Sequence, residues 1–323
     1  MNNRILISFI LVLLLSCKNI GEVRDIRLGH GLDVNHSVHL AMVHMANDLD
    51  SLSQGKLRLR IYPNSQLGSE RECLELLQMG SLDMTKVSVG VLENFSPKMK
   101  IFGVPYLFKN RKHTYKVLDS EVGQVLLSGL DIYWMKGLCY YDAGSRSFYT
   151  KERPVHLPND LNGQKIRVME SVTAMDMVRS LGGSPTPIAW GELYTSLQQG
   201  VVDGAENNPP SFYLSKHYEV CKYYTLNEHT TLPDVLLAGT TFWKSLSEKE
   251  KKWFQQAVKN SVAYQRKLWL ESERVALEAE KKAGVEVIVP DKSSFANKTK
   301  ALYEQYGNEG GFTKILDKIQ ALE

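Results

Sequence analysis

The sequence predicts an α/β protein with two lobes. Strand and helix patterns alternate between residues 25 and 91, and the alternation begins again after residue 125. Strands that feed helices in this order favour a sheet covered by helices. The chain has 323 residues, whereas a single hydrophobic core stops growing at roughly 250–300 residues. Two such units are therefore expected.

The first unit has the order βαβαβ. Residues 25–28 form a short strand before a glycine-containing loop, and residues 37–49 place apolar side chains at helical spacing. Residues 57–62 alternate apolar and polar side chains, as a half-buried strand does. Residues 69–72 have the spacing of a capping box, which predicts a helix. Residues 82–91 return to a strand pattern.

The second unit repeats the alternation. Strands are predicted at residues 133–141, 146–150, 165–169 and 201–202, and helices at residues 172–181 and 191–199. No stretch rich in Gly, Pro and Ser separates the two halves. We therefore expect a hinge between rigid bodies.

A long helix is predicted over residues 247–283, which contain no Pro or Gly. At ~1.5 Å per residue it would extend about 55 Å, which is longer than one lobe. The pattern lacks sustained heptads, which disfavours a coiled coil. The helix is expected to brace both lobes.

The start of the chain resembles a bacterial lipoprotein signal. Arg4 precedes a short apolar run at residues 5–15, which is typical of a secretory signal. The run is shorter than the roughly 20 residues that a membrane-spanning helix needs. It ends in Leu-Leu-Ser before Cys17, as in a lipobox, where the cysteine is lipidated and becomes the new N-terminus.

We therefore predict a lipoprotein signal peptide at residues 1–16 and a lipidated tether at residues 17–23. The protein would be periplasmic or on the cell surface, attached to a membrane through Cys17. A plain signal peptide with a chance cysteine at this position is the alternative.

Charge and cysteine content narrow the class of protein. Lys and Arg total 39 against 36 Asp and Glu, and this net charge of +3 is too small to indicate a nucleic-acid partner. Four cysteines are too few for a disulfide framework. Cys73 and Cys139 lie in apolar patterns, which favours buried free thiols. An oxidising compartment would also permit one bridge among these two and Cys221.

Catalytic motifs are missing from the sequence. It has no Walker loop and no Gly-x-Ser-x-Gly or His-Glu-x-x-His motif, and no third glycine completes a dinucleotide fingerprint after Gly29 and Gly31. His36 and His39 could share a helix face, but no further metal ligands have suitable spacing. We predict no catalytic residues, no metal and no cofactor.

Arg167 is the most informative charged residue. It lies inside the strand pattern of residues 165–169, opposite the face that carries Ile166 and Val168. An arginine in such a strand needs an anionic partner, and a planar guanidinium suits a carboxylate. The partner could be a ligand carboxylate, or a protein acid such as Glu170 or Glu206.

The most specific motif covers residues 187–207, which read PIAWGELYTSLQQGVVDGAEN. Supporting motifs are YPNSQLG at 62–68, GSLD at 80–83, PYLF at 105–108 and LNGQKIRV at 161–168. In this order they resemble the substrate-binding subunit of tripartite ATP-independent periplasmic (TRAP) transporters, of the solute-binding protein family 7 type. The resemblance covers essentially the whole mature chain.

The resemblance implies a fold of the two-lobe periplasmic-binding-protein type with a long helix spanning both lobes. Lobe I would comprise residues 24–144 with 233–272, and lobe II residues 145–232 with 273–323. The lobes would close over a small organic acid and deliver it to membrane permease subunits that are driven by an ion gradient. A protein of this kind is not an enzyme and needs no cofactor.

The resemblance also implies the ligand site. Arg167 matches the arginine that clamps the ligand carboxylate, Asn207 matches the asparagine that assists it, and Arg146 fits a second arginine near the acid. The further ligand-binding residues are expected to be Glu70, Glu170, Trp190, His36 and Lys86. Asp203 and Glu206 are interpreted as structural residues that fix the loop presenting Asn207.

The ligand class follows from these side chains. Glu70 and Glu170 would repel a second ligand carboxylate but suit sugar hydroxyls, and the face of Trp190 suits the C–H surface of a pyranose ring. A hexuronate such as D-glucuronate or D-galacturonate is favoured over a C4-dicarboxylate or sialic acid. A secreted carbohydrate-processing lipoprotein enzyme is the alternative class.

Overall fold

A computed structural model describes residues 23–308 and 311–322 of the chain. The predicted signal peptide, Cys17 and most of the predicted tether lie outside these residues. Within the described part of the chain, no helix combines the length and the apolar character needed to cross a bilayer.

Strands and helices alternate along the described residues. The strands are β1 (Arg24–Gly29), β2 (Leu57–Tyr62), β3 (Met84–Ser88), β4 (Met135–Tyr141), β5 (Ser145–Thr150), β6 (Lys165–Val168), β7 (Ser184–Pro187), β8 (Gly204–Asn207), β9 (Tyr223–Thr231), β10 (Asp234–Gly239) and β11 (Glu286–Ile288). The helices are α1 (Ser37–Ser53), α2 (Glu70–Gln78), α3 (Val89–Leu92), α4 (Arg111–Asp119), α5 (Glu121–Ser128), α6 (Val172–Ser180), α7 (Leu193–Gln198), α8 (Pro209–Leu214), α9 (Thr240–Ser245), α10 (Glu248–Lys282), α11 (Lys292–Gly307) and α12 (Phe312–Gln320). Short 3₁₀ helices lie at Pro97–Gly103, Gly129–Tyr133, Pro158–Leu161, Trp190–Glu192 and His217–Glu219.

The first sheet has the strand order β2-β1-β3-β10-β4. β1, β2 and β3 are parallel, and β10 is antiparallel to β3 and β4. The parallel strands therefore end at one edge of the sheet. At this edge Ser88, the last residue of β3, pairs with Asp234, the first residue of β10.

The second sheet has the order β11-β9-β5-β8-β6-β7. β6 is parallel to β7 and β8, and β5 is antiparallel to β8 and β9. The pairing places Arg167 of β6 beside Ala205 of β8, and Ser147 of β5 beside Asn207. Side chains that are far apart in the sequence are thus brought to the centre of this sheet.

Three chain crossovers connect the sheets within the described residues, at residues 142–144 between β4 and β5, at residues 232–233 between β9 and β10, and at residues 240–285, which include α10, between β10 and β11. Apolar packing joins them as well, since Val87, Phe102, Phe148 and Val168 belong to one buried cluster. The segment Pro97–Gly103 contributes to this cluster and contacts β9 and α6.

The long helix α10 braces the fold. Its N-cap Ser247 forms a capping box with Glu250, which matches the predicted start. The helix packs on α1 and β4 of the first sheet and also on α8, which follows β8 of the second. The predicted α/β fold with two lobes and a bracing helix is confirmed. The residue limits of the two lobes stay a prediction.

Two local predictions are wrong. Val201 and Val202 do not form a strand, because the amide of Val201 bonds the carbonyl of Ser196 and so closes the end of α7. The strand is β8, three residues further on. The strand predicted over residues 82–91 ends at Ser88, whose side chain accepts from the amide of Gly90 and starts α3. Cys73 and Cys139 are buried free thiols, as favoured, and Cys221 is also buried and free within the described residues.

Candidate functional site

A cavity lies where the two sheets face each other. The volume of the cavity is about 700 Å³, including the part that is open to solvent. All the side chains predicted to bind ligand line it: His36, Glu70, Lys86, Arg146, Arg167, Glu170, Trp190 and Asn207. Residues from positions 36 to 207 converge here from strands of both sheets, from the starts of α1 and α2, and from the segments that follow β6 and β7.

Arg167 is a buried cation that has no acidic partner among the described residues. It is 2% exposed, and its Nε donates to the carbonyl oxygen of Ile188 at 2.8 Å. Its guanidinium carbon lies 5.6 Å from the centre of the Trp190 ring. In the part of the chain that the structure describes, no carboxylate forms an ion pair with it, so the alternative partners Glu170 and Glu206 are not used.

Burial lowers the pKa of Arg167 to about 10. The side chain therefore stays protonated at neutral pH, although an unpaired buried charge is costly. A ligand carboxylate at the guanidinium would supply the missing counter-charge. The planar guanidinium can donate two parallel hydrogen bonds to the two oxygens of such a carboxylate.

Arg146 differs from Arg167, because its charge is matched inside the protein. Its Nη2 lies 2.8 Å from Glu206 Oε1 and its Nε also contacts that carboxylate. Burial opposes the ionisation of Glu206, but attraction to Arg146 holds the pKa of this carboxyl at about 2. His229 stands on the other side, with its Nε2 3.4 Å from Glu206 Oε2.

Asn207 is oriented by its neighbours. Its side-chain oxygen accepts from Arg146 Nη1 at 2.8 Å and from the amide of Asn208 at 2.9 Å. Both bonds use the oxygen, so the NH₂ group is left to donate elsewhere. Tyr224 donates to the backbone carbonyl of Asn207 and fixes the end of β8. Arg146 therefore helps to position Asn207.

Glu70 lies in the first turn of α2, where the N-terminal end of a helix favours a negative charge. Its Oε1 lies 2.9 Å from Lys86 Nζ, and its Oε2 accepts from the amide of Ser88 at 3.1 Å. Lys86 also lies 3.3 Å from Asp234. Burial opposes the charge of Lys86, yet attraction to Asp234 and Glu70 raises its pKa.

His36 is the N-cap of α1. Its Nδ1 accepts from the amide of Val38 at 3.3 Å, so the ring proton of the neutral form is on Nε2. Nε2 is buried and has no hydrogen-bond partner among the described residues. Burial, with the nearby Lys86 charge, lowers the pKa of His36 to about 3. His36 therefore brings a neutral ring to the lining of the cavity.

Trp190 and Glu170 border the cavity on the side of the second sheet, and both are half-buried. The Trp190 ring lies 5.2 Å from the His217 ring, which supports one of its faces. The backbone carbonyl of Glu170 accepts from the side chain of Asn94. This contact ties the loop after β6 to the loop after α3 across the cleft.

Several lining residues were not predicted from the sequence, and two of them, Asp234 and Arg71, carry a charge; Asp234 is the buried one. It is 6% exposed and begins β10. Its signal in the sequence is an acid placed after a proline and before the apolar run of residues 235–238. The other missed polar residues at the cavity are Ser69, Arg71, Ser88, Asn208 and Ser211.

The polar groups of the cavity are suited to binding a small acid. In residues 23–308 and 311–322, no group of acidic, His and Cys side chains is arranged to hold a metal ion. The arrangement offers one unpaired guanidinium, an oriented amide, a neutral ring donor and buried acceptors. These groups can bind a carboxylate at one end and neutral polar groups at the other.

The sequence profile of the bacterial extracellular solute-binding proteins of family 7 matches residues 28–309. The chain belongs to this family. It is the solute-binding component of a TRAP transporter, as its motifs indicated. Proteins of this type bind small acid ligands and work with membrane permease components. The relatives are solute-binding proteins and not enzymes, and membership supports a periplasmic location.

Solved structures share the whole fold. A TRAP periplasmic solute-binding protein from Xanthobacter autotrophicus Py2, with bound β-D-galacturonate, is 36% identical, with a TM-score of 0.90 over 92% of this chain and 100% of that chain. One from Anaerococcus prevotii, with bound α/β D-glucuronate, is 35% identical, with a TM-score of 0.90 over 92% of this chain and 97% of that chain.

A relative found by sequence is the C4-dicarboxylate-binding periplasmic protein DctP of Rhodobacter capsulatus. It is 33% identical over 73% of this chain and 71% of its own length.

Proposed function

We propose that this TRAP solute-binding protein captures a hexuronate, D-galacturonate or D-glucuronate, and delivers it to a membrane permease. The observation that carries the proposal is Arg167, a buried guanidinium with no protein carboxylate in ion-pair contact in the described residues. A ligand carboxylate would complete this pair. Asn207, held by Arg146, would donate to the same carboxylate.

The remaining cavity groups favour a sugar acid over a C4-dicarboxylate. Glu70 and Glu170 face the cavity and would repel a second ligand carboxylate. Hydroxyl groups suit these acceptors and the donor at His36 Nε2. The half-buried Trp190 offers an apolar face for ring C–H groups. The galacturonate and glucuronate found in the similar structures support the same class.

A ligand screen by thermal shift tests this proposal. A ligand present at 100 times its Kd stabilises the folded state by about 2.7 kcal/mol. We expect D-galacturonate or D-glucuronate to raise the Tm, and succinate, malate and sialic acid to leave it unchanged. A shift with succinate or malate, and none with the uronates, would show that the protein is a C4-dicarboxylate carrier. Turnover of a uronic-acid oligosaccharide would instead favour the enzyme alternative.

We also propose that residues 1–16 are removed and that Cys17 is lipidated, which would tether the protein to a membrane. The support is the Leu-Leu-Ser-Cys motif after a short apolar run. Mass spectrometry of the protein from membranes should find an acylated N-terminal Cys17. A Cys17→Ser variant should be released into the soluble fraction. A wild-type protein that is already soluble after cell disruption would contradict the anchor.

A further inference from the structure

Lys86 lies between two carboxylates at the side of the cavity formed by the first sheet. Its Nζ is 2.9 Å from Glu70 Oε1 and 3.3 Å from Asp234 Oδ1. All of them line the cavity, and Lys86 and Asp234 are 1% and 6% exposed. With its side chains ionised, this cluster carries one more negative than positive charge.

When only the buried charged side chains are counted, which leaves out the half-buried Glu170, the side formed by the second sheet has the opposite balance. Arg146 is neutralised by Glu206, whereas Arg167 has no carboxylate in ion-pair contact within the described residues. The buried charges of the cavity are therefore polarised, with the unmatched cation at one side and the unmatched anion at the other. A ligand with one carboxylate has a single favourable orientation in such a field.

Asp234 has more free acceptor capacity than Glu70. Both oxygens of Glu70 have partners, one in Lys86 and one in the amide of Ser88. The carboxylate of Asp234 contacts Lys86, and among the described residues we find no second side-chain or backbone donor for it. Its backbone is fixed between Ser88 and Tyr141 by strand pairing, so the carboxylate is held in place before any ligand arrives.

We propose that Asp234 is a specificity-determining residue. Together with Glu70 it neutralises Lys86, so that this cation does not attract a second ligand carboxylate. Its remaining acceptor capacity receives a ligand hydroxyl, and the neutral Nε2 donor of His36 lines the same cavity. The inference rests on the proposed function, because it requires the first ligand carboxylate at Arg167.

The variant Asp234→Asn tests this inference because it removes one charge and keeps the shape of the side chain. Calorimetric titration would compare each protein with D-glucuronate and with D-glucarate, which carries a second carboxylate. The two acids differ in ring form, but this difference does not affect the result, because the affinity for each ligand is compared between wild type and variant. We expect hexuronate binding to weaken by about tenfold and glucarate binding to strengthen by about tenfold.

Glu70→Gln provides a second readout, because it removes the other counter-charge of Lys86. It should shift the ligand preference from D-glucuronate toward D-glucarate, as Asp234→Asn should. It also serves as the test if Asp234→Asn does not fold. Asp131→Asn is the matched control, since Asp131 is exposed and pairs with Lys136 away from the cavity. It should bind both acids as the wild type does.

The outcomes separate this inference from the proposed function. Wild-type protein that binds no hexuronate would refute the proposed function. Wild-type protein that binds a hexuronate, with folded Asp234 and Glu70 variants whose preference changes by less than threefold, would overturn the role of Asp234 alone.

Discussion

The Nε of Arg167 donates to the carbonyl oxygen of Ile188 at 2.8 Å, and this bond fixes the direction of the guanidinium. Ile188 follows β7, which lies beside β6 in the sheet. The guanidinium of Arg167 is therefore oriented by the backbone before a ligand binds. A preorganised guanidinium loses less entropy when it binds a carboxylate.

The first prediction concerns Arg167→Ala. Truncation of one member of a buried charge pair costs about 2–5 kcal/mol of binding free energy, so hexuronate binding should be lost at ordinary concentrations. The apo protein should be as stable as wild type or more stable, because the variant removes an unpaired buried charge. Calorimetric titration and urea unfolding measure the two effects. Binding that survives unchanged would remove Arg167 from the site.

The second prediction concerns Arg146→Ala, which should behave differently. Its removal leaves Glu206 as a buried carboxylate without its cation, and breaking such a pair costs about 3–5 kcal/mol of stability. Apo Arg146→Ala should therefore unfold at much lower urea concentration than apo Arg167→Ala. Equal stabilities of the two apo variants would show that Glu206 does not depend on Arg146.

The third prediction concerns the loss of unfolding free energy at low pH that follows from Glu206. Its pKa in the folded state, about 2, is below the ordinary value of 4.5. The unfolded state therefore binds the proton first, so this contribution is present above pH 4.5 and is lost as pH falls toward 2. Unfolding free energy measured from pH 6 to pH 3 should fall in wild type. The fall should be smaller in the double variant Arg146→Met/Glu206→Gln, which lacks the charge pair.

The helices that were predicted correctly from the sequence depend on local patterns. The helical spacing of residues 37–49, the capping box at Ser69 and the long run without Pro or Gly all depend on neighbours within a few residues, and the structure has these helices. Val201 and Val202 show where local preference fails. The end of α7 and the pairing of β8 with β5 and β6 decide that segment.

The charge state of the cavity could not be predicted in the same way. Arg146 and Arg167 were both predicted to lie near the ligand acid, but only the folded sheet brings Glu206 to Arg146, 60 positions away in the sequence. The site residues were named from a family resemblance, and the structure brings them to one cavity. Asp234 was missed because its partner Lys86 lies on a strand that is far away in the sequence, although the two strands are neighbours in the folded sheet.

The fourth prediction concerns Glu280 of α10, whose carboxyl is buried and has no hydrogen-bond partner in the described residues. Burial raises its pKa to about 8. The folded state therefore keeps a proton that the unfolded state releases, and stability falls as pH rises from about 4.5 to about 8. Between pH 6 and pH 9 the loss should be roughly 2–3 kcal/mol.

Glu280→Gln is the variant that tests this dependence, because it keeps the neutral form at all pH values. It should unfold with similar free energy at pH 6 and pH 9, apart from changes that other groups cause in both proteins. The comparison is made by urea unfolding at each pH. Parallel curves for wild type and variant would mean that Glu280 is not protonated in the fold.

The fifth prediction concerns Gly144 in the first crossover between the sheets. Its φ is +58°, and a Cβ there would approach Glu273 Oε1 to 2.6 Å and Trp269 Nε1 to 3.0 Å. Both side chains belong to α10, which braces the lobes. Gly144→Ala should therefore lower the unfolding free energy through backbone strain and through this clash.

Gly163→Ala is the matched control for that variant. Gly163 also has positive φ, +75°, but a Cβ there would meet no atom within 4 Å. The control therefore reports backbone strain alone, about 1–2 kcal/mol. Urea unfolding should show a larger loss for Gly144→Ala than for Gly163→Ala. Hexuronate affinity should also fall only in Gly144→Ala, because its crossover connects the two sheets that face the cavity. Equal losses in stability and unchanged affinity would show that the packing of Gly144 against α10 contributes nothing to the arrangement of the two sheets.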